Sequence, residues 1–326
     1  MLKPNRYAKV NVKVLLVLIL VTVAIGSSLF AARQVRRGIL SKMALDTGQA
    51  AFEKGDWATA SKHLQRYLGR NPDDVEVLKK YATAQLSVRP LDAAAVSGAI
   101  AAYRRIIQIN PLDEAACEKL AQLYAGIGNF EELAYIARIR LDQVPGDRKA
   151  PLWLAEALYR LRKTDAARET LDKLIKKLEP LADKPAEYVQ ACALMSQIAS
   201  SPGSIGTSTD ALGWLNRAAA ARPQSAEALA SRARFYRERA DIPDLSEDER
   251  LALARKDLEA ADALNPNNPR VRLILCAEWL EHGQLDLAAA ELKVVENLPP
   301  EALKEHFFDL QDWTVARFLF ASQLAT

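Results

Sequence analysis

Residues 265–300 read NPNNPRVRLILCAEWLEHGQLDLAAAELKVVENLPP. The stretch opens on Asn265-Pro266, carries Leu275-Cys276-x-x-Trp279 and breaks at Gly283. It resumes with Ala288-x-x-x-Leu292 and closes on Pro299-Pro300. Residues three and four apart share one face of a helix, so each half is a short helix with a single apolar stripe. Glycine ends the first helix and proline stops the second. Pro266 and Pro300 stand 34 residues apart. A helix pair of that length cannot bury its apolar faces alone, which predicts neighbours built like itself.

Those neighbours are present. A first unit runs from Lys42 to Pro72, with Gly48 in the small position, Gly55-Asp56-Trp57 at the turn and Ala60-x-x-x-Leu64 in the second helix. A second runs from Asp73 to Pro111 on Ala82 and Ala99-x-x-x-Tyr103, with Arg89-Pro90-Leu91-Asp92 lengthening its turn. The third, closing at Pro145, carries Leu120-Ala121-x-x-Tyr124 and Gly128-Asn129-Phe130. The fourth, from Gly146 to about Pro180, carries Leu154-Ala155-x-x-Leu158 and Ala167-x-x-x-Leu171. The fifth and sixth, closing at Pro223 and Pro266, are 43 residues each. In the fifth the extra residues form a Ser- and Gly-rich loop over 200–209. In the sixth, Ser246 with Glu249 three residues on reads as a capping box opening the second helix.

The period, the large-small-x-x-aromatic pattern and the Ala-x-x-x-large pattern resemble the tetratricopeptide repeat. The resemblance covers about residues 42–300 and implies an all-α solenoid of about seven helix-turn-helix repeats. The small positions Gly48, Ala82, Ala121, Ala155, Ala193, Ala233 and Cys276 are where the two helices of a pair approach closely. It also implies a concave groove lined by first helices that holds a protein or peptide partner. Lys79, Gln122, Glu156, Tyr159, Arg160, Arg234, Arg237 and Glu238 fall on the open side of those helices. Lys79, Gln122, Tyr159, Arg160, Arg234 and Arg237 are the candidate partner contacts. Glu156, Glu227 and Glu238 stand ready to neutralise the arginines in surface pairs. Chaperone-binding relatives carry a Lys/Asn/Arg clamp, whose places here hold Leu45, Gln49 and Lys119, so that clamp is absent.

Charge divides the chain unevenly. Residues 1–42 hold eight basic residues and no acid, while the remainder carries 36 basic against 41 acidic. A body of that sign excludes nucleic-acid binding by bulk electrostatics. The basic head belongs at a membrane surface. After a basic tail over 1–13, residues 14–32 run uncharged, VLLVLILVTVAIGSSLFAA, before Arg33. About 20 apolar residues span a bilayer core. A signal peptide cleaved near Gly26 is the competing reading, but the run exceeds the 7–15 residues of a signal core, so an uncleaved transmembrane helix is expected. A basic linker over 33–41 follows. Basic residues flank both ends of the span, and the short basic tail favours a single-pass protein of the bacterial inner membrane with its body on the extracytoplasmic side.

Residues 301–326 are strongly apolar, with Phe307, Trp313 and Phe318 among them. A repeat array ordinarily ends in a polar-faced helix. Either this is an apolar C-terminal helix packed against a further element, or the chain is cut inside an eighth repeat. The cut is the expectation, and it keeps open an alternative in which these repeats are the anchored recognition segment of a longer enzyme.

No catalytic constellation accompanies the repeats. Cys117, Cys192 and Cys276 are far apart in sequence and without metal-ligand spacing, so buried structural thiols are expected and no metal or cofactor is called for. His63, His282 and His306 are scattered, and His282, just before Gly283, is expected in solvent. The chain is therefore expected to be no enzyme but a membrane-anchored scaffold for protein–protein interaction or complex assembly.

Overall fold

The computed structural model describes residues 12–89, 92–201 and 206–298. Most of the basic tail and the whole apolar segment 301–326 lie outside these residues. Every regular element among the described residues is an α-helix. The chain divides into two units at Asn110/Pro111, the close of the second repeat.

The first unit holds α1 (Val12–Glu53), α2 (Trp57–Leu68), α3 (Val75–Ser87) and α4 (Ala93–Ile109). Each helix packs against the next. In α2 the buried residues are Ala60, Ser61, Leu64 and Leu68, a stripe with helical spacing. Gly48 faces that stripe. A β-carbon there would stand 2.8 Å from Leu64 Cδ2 and 3.1 Å from the Leu64 backbone nitrogen. Only glycine lets α1 and α2 approach so closely at this point.

The linker expected over 33–41 is part of α1, which continues into the first repeat without a break. Gly38 is the one helix-weakening residue in that stretch. Among the described residues no helix is long and apolar enough to cross a membrane, and the side chains of most of residues 12–32 fall outside those described.

The second unit holds five helix pairs. They are α5 (Glu114–Gly126) with α6 (Phe130–Gln143), α7 (Ala150–Arg160) with α8 (Thr164–Leu178), and α9 (Ala186–Ala199) with α10 (Ser208–Ala221). The last two are α11 (Ala226–Glu238) with α12 (Glu247–Leu264) and α13 (Pro269–Glu281) with α14 (Leu285–Glu296). Ala121, Ala155, Ala233 and Cys276 are buried at the expected small positions. In the fifth repeat Ala193 is part-buried against Ala211 and Leu215, and its neighbour Cys192 is wholly buried. Leu120 and Tyr124 are buried as expected of the large positions, whereas Leu275 and Trp279 remain part-buried.

Four repeats turn by one device. Gly55, Gly128, Arg162 and Gly283 have φ of 73°, 73°, 61° and 68°. The amide that follows each of them donates to a carbonyl five residues back, as Asp56 does to Ala51, Asn129 to Tyr124, Lys163 to Leu158 and Gln284 to Trp279. This is the Schellman motif, which satisfies carbonyls otherwise orphaned at a helix end. Arg162 adopts the left-handed backbone that the other three repeats give to glycine.

The fifth repeat departs from that plan. Its second helix begins at Ser208, inside the stretch expected as loop. Thr207 and Asp210 form a capping box, Thr207 Oγ1 accepting from the Asp210 amide and Asp210 from the Thr207 amide. A serine- and threonine-rich run reads as loop by composition, but the same hydroxyls start helices. The box expected at Ser246 and Glu249 is formed at the start of α12.

Candidate interaction surface

Within the second unit the first helices α7, α9, α11 and α13 lie side by side. Three of the sequence-derived contact residues sit at the C-terminal ends of these helices. Tyr159 is half-buried and Arg160 exposed at the end of α7, and Arg237 sits near the end of α11. Arg234 and Gln122 are half-buried on α11 and α5. Lys79 is half-buried on α3, in the first unit.

The arginines are engaged already. Arg160 Nε donates to Glu156 at 2.7 Å, four residues back, and its guanidinium lies 5.8 Å from the Phe130 ring centre. Arg234 Nε donates to Glu238 at 2.7 Å. The Arg234 pair is solvent-exposed on both sides and contributes under about 1 kcal/mol, so a ligand can compete for it. In the Arg160 pair the arginine is open but Glu156 is only 13% exposed. Arg237 differs. Its side chain is 11% exposed and meets Glu278 at 2.9 Å and Glu281 at 2.6 Å on α13. Arg237 therefore ties α11 to α13 and is a joint of the surface more than a contact on it.

Further pairs join successive first helices and escaped the sequence reading. Arg270 on α13 reaches Glu227 at 3.7 Å and Ser231 at 3.1 Å on α11. Lys149, beside α7, reaches Glu118 at 2.8 Å and Glu114 at 3.7 Å on α5. Partial burial pulls the Lys149 pKa down, but Glu118, Glu114 and Glu187 outweigh it and the net shift is upward. The signal was there: these opposite charges stand roughly one repeat apart in sequence, 31 residues for Lys149 and Glu118 and 44 for Arg237 and Glu281.

A second class of polar group ties helices within a repeat or, at Arg140 and Asp147, one repeat to the next. Arg140 and Asp147 pair at 2.7 Å with side chains 7% and 9% exposed. Asp147 Oδ1 also accepts from the Lys149 and Ala150 amides at the start of α7. Arg140 donates a further bond to the Leu112 carbonyl. Arg232 grips Asp257 with two bonds of 2.7 and 2.8 Å, and Arg250 donates to the Tyr236 and Arg237 carbonyls at the end of α11.

Catalytic groups do not gather on this surface. All three cysteines are buried. Burial pushes the Cys192 and Cys276 thiols up to about 11, away from the thiolate that nucleophilic chemistry requires. Among the described residues no cluster of His, Cys, Asp and Glu is arranged to hold a metal ion. His282 is exposed at the end of α13, its Nδ1 2.8 Å from the Glu278 carbonyl.

Residues 151–178, which make up α7 and α8, match the tetratricopeptide repeat family. No curated protein matches the chain. A tetratricopeptide repeat protein from Parabacteroides merdae shares 14% identity over 84% of this chain and 99% of its own, with a TM-score of 0.54. A thermophilic protein of the same repeat type from Thermus thermophilus shares 23% identity over 65% of this chain and 100% of its own, at a TM-score of 0.45. The human IFIT1 dimer with m7Gppp-AAAA shares 14% identity over 85% of this chain and 67% of its own, also at 0.45. The first of these likenesses, with the repeat matched at 151–178, establishes the fold as a stack of tetratricopeptide-type helix pairs.

Proposed function

We propose that this protein is a membrane-anchored helical-repeat scaffold. It holds a protein or peptide partner on its row of first helices and does no chemistry itself. The side-by-side packing of α7, α9, α11 and α13 carries this reading, because it makes one extended surface out of four short helices. Such a surface suits an extended or helical segment of another protein better than a small molecule, which binds in enclosed clefts. The acidic excess beyond residue 42 favours a protein over a nucleic acid. The uncharged run over 14–32 and the cations on both sides of it support an anchor that is retained, in a bacterial inner membrane with the body outside the cytoplasm.

The contact patch centres on Tyr159, Arg160 and Gln122, with Arg234 further along the row. Arg234 sits in an exposed pair that a partner's carboxylate can replace, Arg160 keeps open donors beyond its bond to Glu156, and arginine and tyrosine are favoured at binding hot spots. The test is co-purification from solubilised membranes, comparing wild type with Tyr159→Ala/Arg160→Glu. Loss of one specific protein is expected. Because Tyr159 also packs against the core of α7 to α9, the double variant should melt lower, so Arg160→Gln alone, with little change in melt, must reproduce the loss. An identical set of co-purifying proteins contradicts the assignment.

A further inference from the structure

We propose that the end of the first repeat nearest the apolar run is a binding site for anionic phospholipid headgroups. The two strands of the observation are charge pairing and place. In the second unit Arg140, Arg160, Arg232, Arg237 and Arg272 are held by carboxylates or carbonyls. Arg138, Arg148, Arg162 and Arg222 form no ion pair among the described residues but stand in sequence that acids interrupt. The first unit differs in grouping Arg33, Arg36, Arg37 and Lys42 ahead of any acid. In the first unit Arg33, Arg36, Arg37, Lys42, Arg66 and Arg70 form no ion pair or side-chain hydrogen bond among the described residues. The first acid of the whole chain is Asp46.

The fold concentrates these cations. α2 runs back along α1, so its C-terminal end returns to the level of residue 41. Asn71 Nδ2 donates to Ser41 Oγ at 3.2 Å and pins the turn after α2 against α1. Lys42 and Arg70 then face one shallow depression of about 470 Å³, with Ser41, Tyr67 and Asn71 on its walls. Asp46, one turn along α1 from Lys42, offsets part of that charge, and the two acids in the turn after α2 are engaged elsewhere. Asp74 accepts the Tyr67 hydroxyl at 3.0 Å and caps α3, and Asp73 is bound by Arg105. Arg66 adds a cation in the last turn of α2.

Place decides between a lipid surface and another ligand, and here the inference rests on the anchor reading above. α1 is one helix from residue 12 to residue 53. At 1.5 Å per residue, Arg33 to Arg37 lie within about 8 Å of the end of the uncharged run, which is the depth of the headgroups. Lys42 lies about 15 Å along, within reach of a long side chain and of a surface potential that decays over about 8 Å. Arg33, Arg36 and Arg37 share one face of the helix, and Lys42 lies about half a turn round from Arg33. Cations on two opposite faces of a helix suit a plane pierced by it better than a partner docked on one side. Ile39, Leu40 and Met43 are 57%, 52% and 58% exposed in the same segment. Aliphatic side chains interleaved with cations are what a bilayer interface accommodates.

The test uses the full chain in nanodiscs, of phosphatidylcholine alone or with phosphatidylglycerol, and reads amide exchange over residues 38–45 and 66–71. Wild type is expected to exchange more slowly in the anionic discs, about fivefold for each cation engaged. Lys42→Gln/Arg70→Gln should lose that difference while keeping its melting temperature. Equal exchange in both discs overturns the proposal. So does equal slowing by inorganic phosphate in detergent, which would make the site one for free anions. Alkaline carbonate extraction of native membranes is run alongside. Release of wild type there overturns the anchor, and this proposal with it, whereas retention with equal exchange overturns the headgroup site alone.

Discussion

Arg162 occupies a backbone conformation that costs an L-residue about 1–2 kcal/mol and glycine almost nothing. Glycine costs part of that back through its freedom in the unfolded chain. Arg162→Gly should therefore stabilise the protein by about 0.5–1 kcal/mol, read as a higher urea midpoint with an unchanged slope. The opposite sign is expected at Cys276, which is wholly buried where α13 meets α14. Cys276→Leu adds volume to a filled space and should cost about 1–3 kcal/mol in the same measurement. The small position at Cys276 was legible in sequence, because it recurs ten residues after a closing proline, as Ala82, Ala121, Ala155 and Ala233 do. The state of Arg237 was not. It is written like Arg234 on the same helix, and only the approach of α13 buries it against Glu278.

At the scale of elements, the joints between repeats depend on ionised carboxylates. Burial alone would raise the Asp147 pKa, but the Ala150 and Lys149 amides and Arg140 more than offset it and hold the carboxyl below its ordinary 3.8. A group depressed in the folded state gives its full stabilisation above the unfolded value and loses it as pH falls through the folded one. Stability should thus fall as pH drops below about 4, and Asp147→Asn should flatten that fall while lowering stability at pH 7. The neutral-pH loss is set at about 3 kcal/mol by the uncompensated Arg140 left behind, and chemical denaturation at pH 7 and pH 3 checks both effects. Element boundaries were legible wherever a cap could be named. Ser246 with Glu249 announced α12, and the prolines announced the helix stops. The start of α10 was missed because Thr207 and Asp210 sit in a run whose composition reads as loop. The continuity of α1 was missed because charge changes abruptly at Arg33 although the backbone propensity does not.

For the molecule as a whole, the repeat period was enough to foresee stacked helix pairs, since each pair alone leaves an apolar face open. The division at Asn110/Pro111 was not foreseen. Neither was the lattice of ion pairs between first helices, because pairing across repeats depends on the superposition of helices 31 to 44 residues apart. The partner-binding face remains the central claim, and photo-crosslinking in native membranes tests it most directly. A photoreactive residue is placed at Gln122 or Tyr159 on first helices, and for comparison at Glu169 or Lys173 on the exposed face of α8. The account predicts crosslinks to one defined protein from Gln122 and Tyr159 and none from Glu169 and Lys173. Crosslinks of equal yield from both sets, or from Glu169 and Lys173 alone, would contradict it.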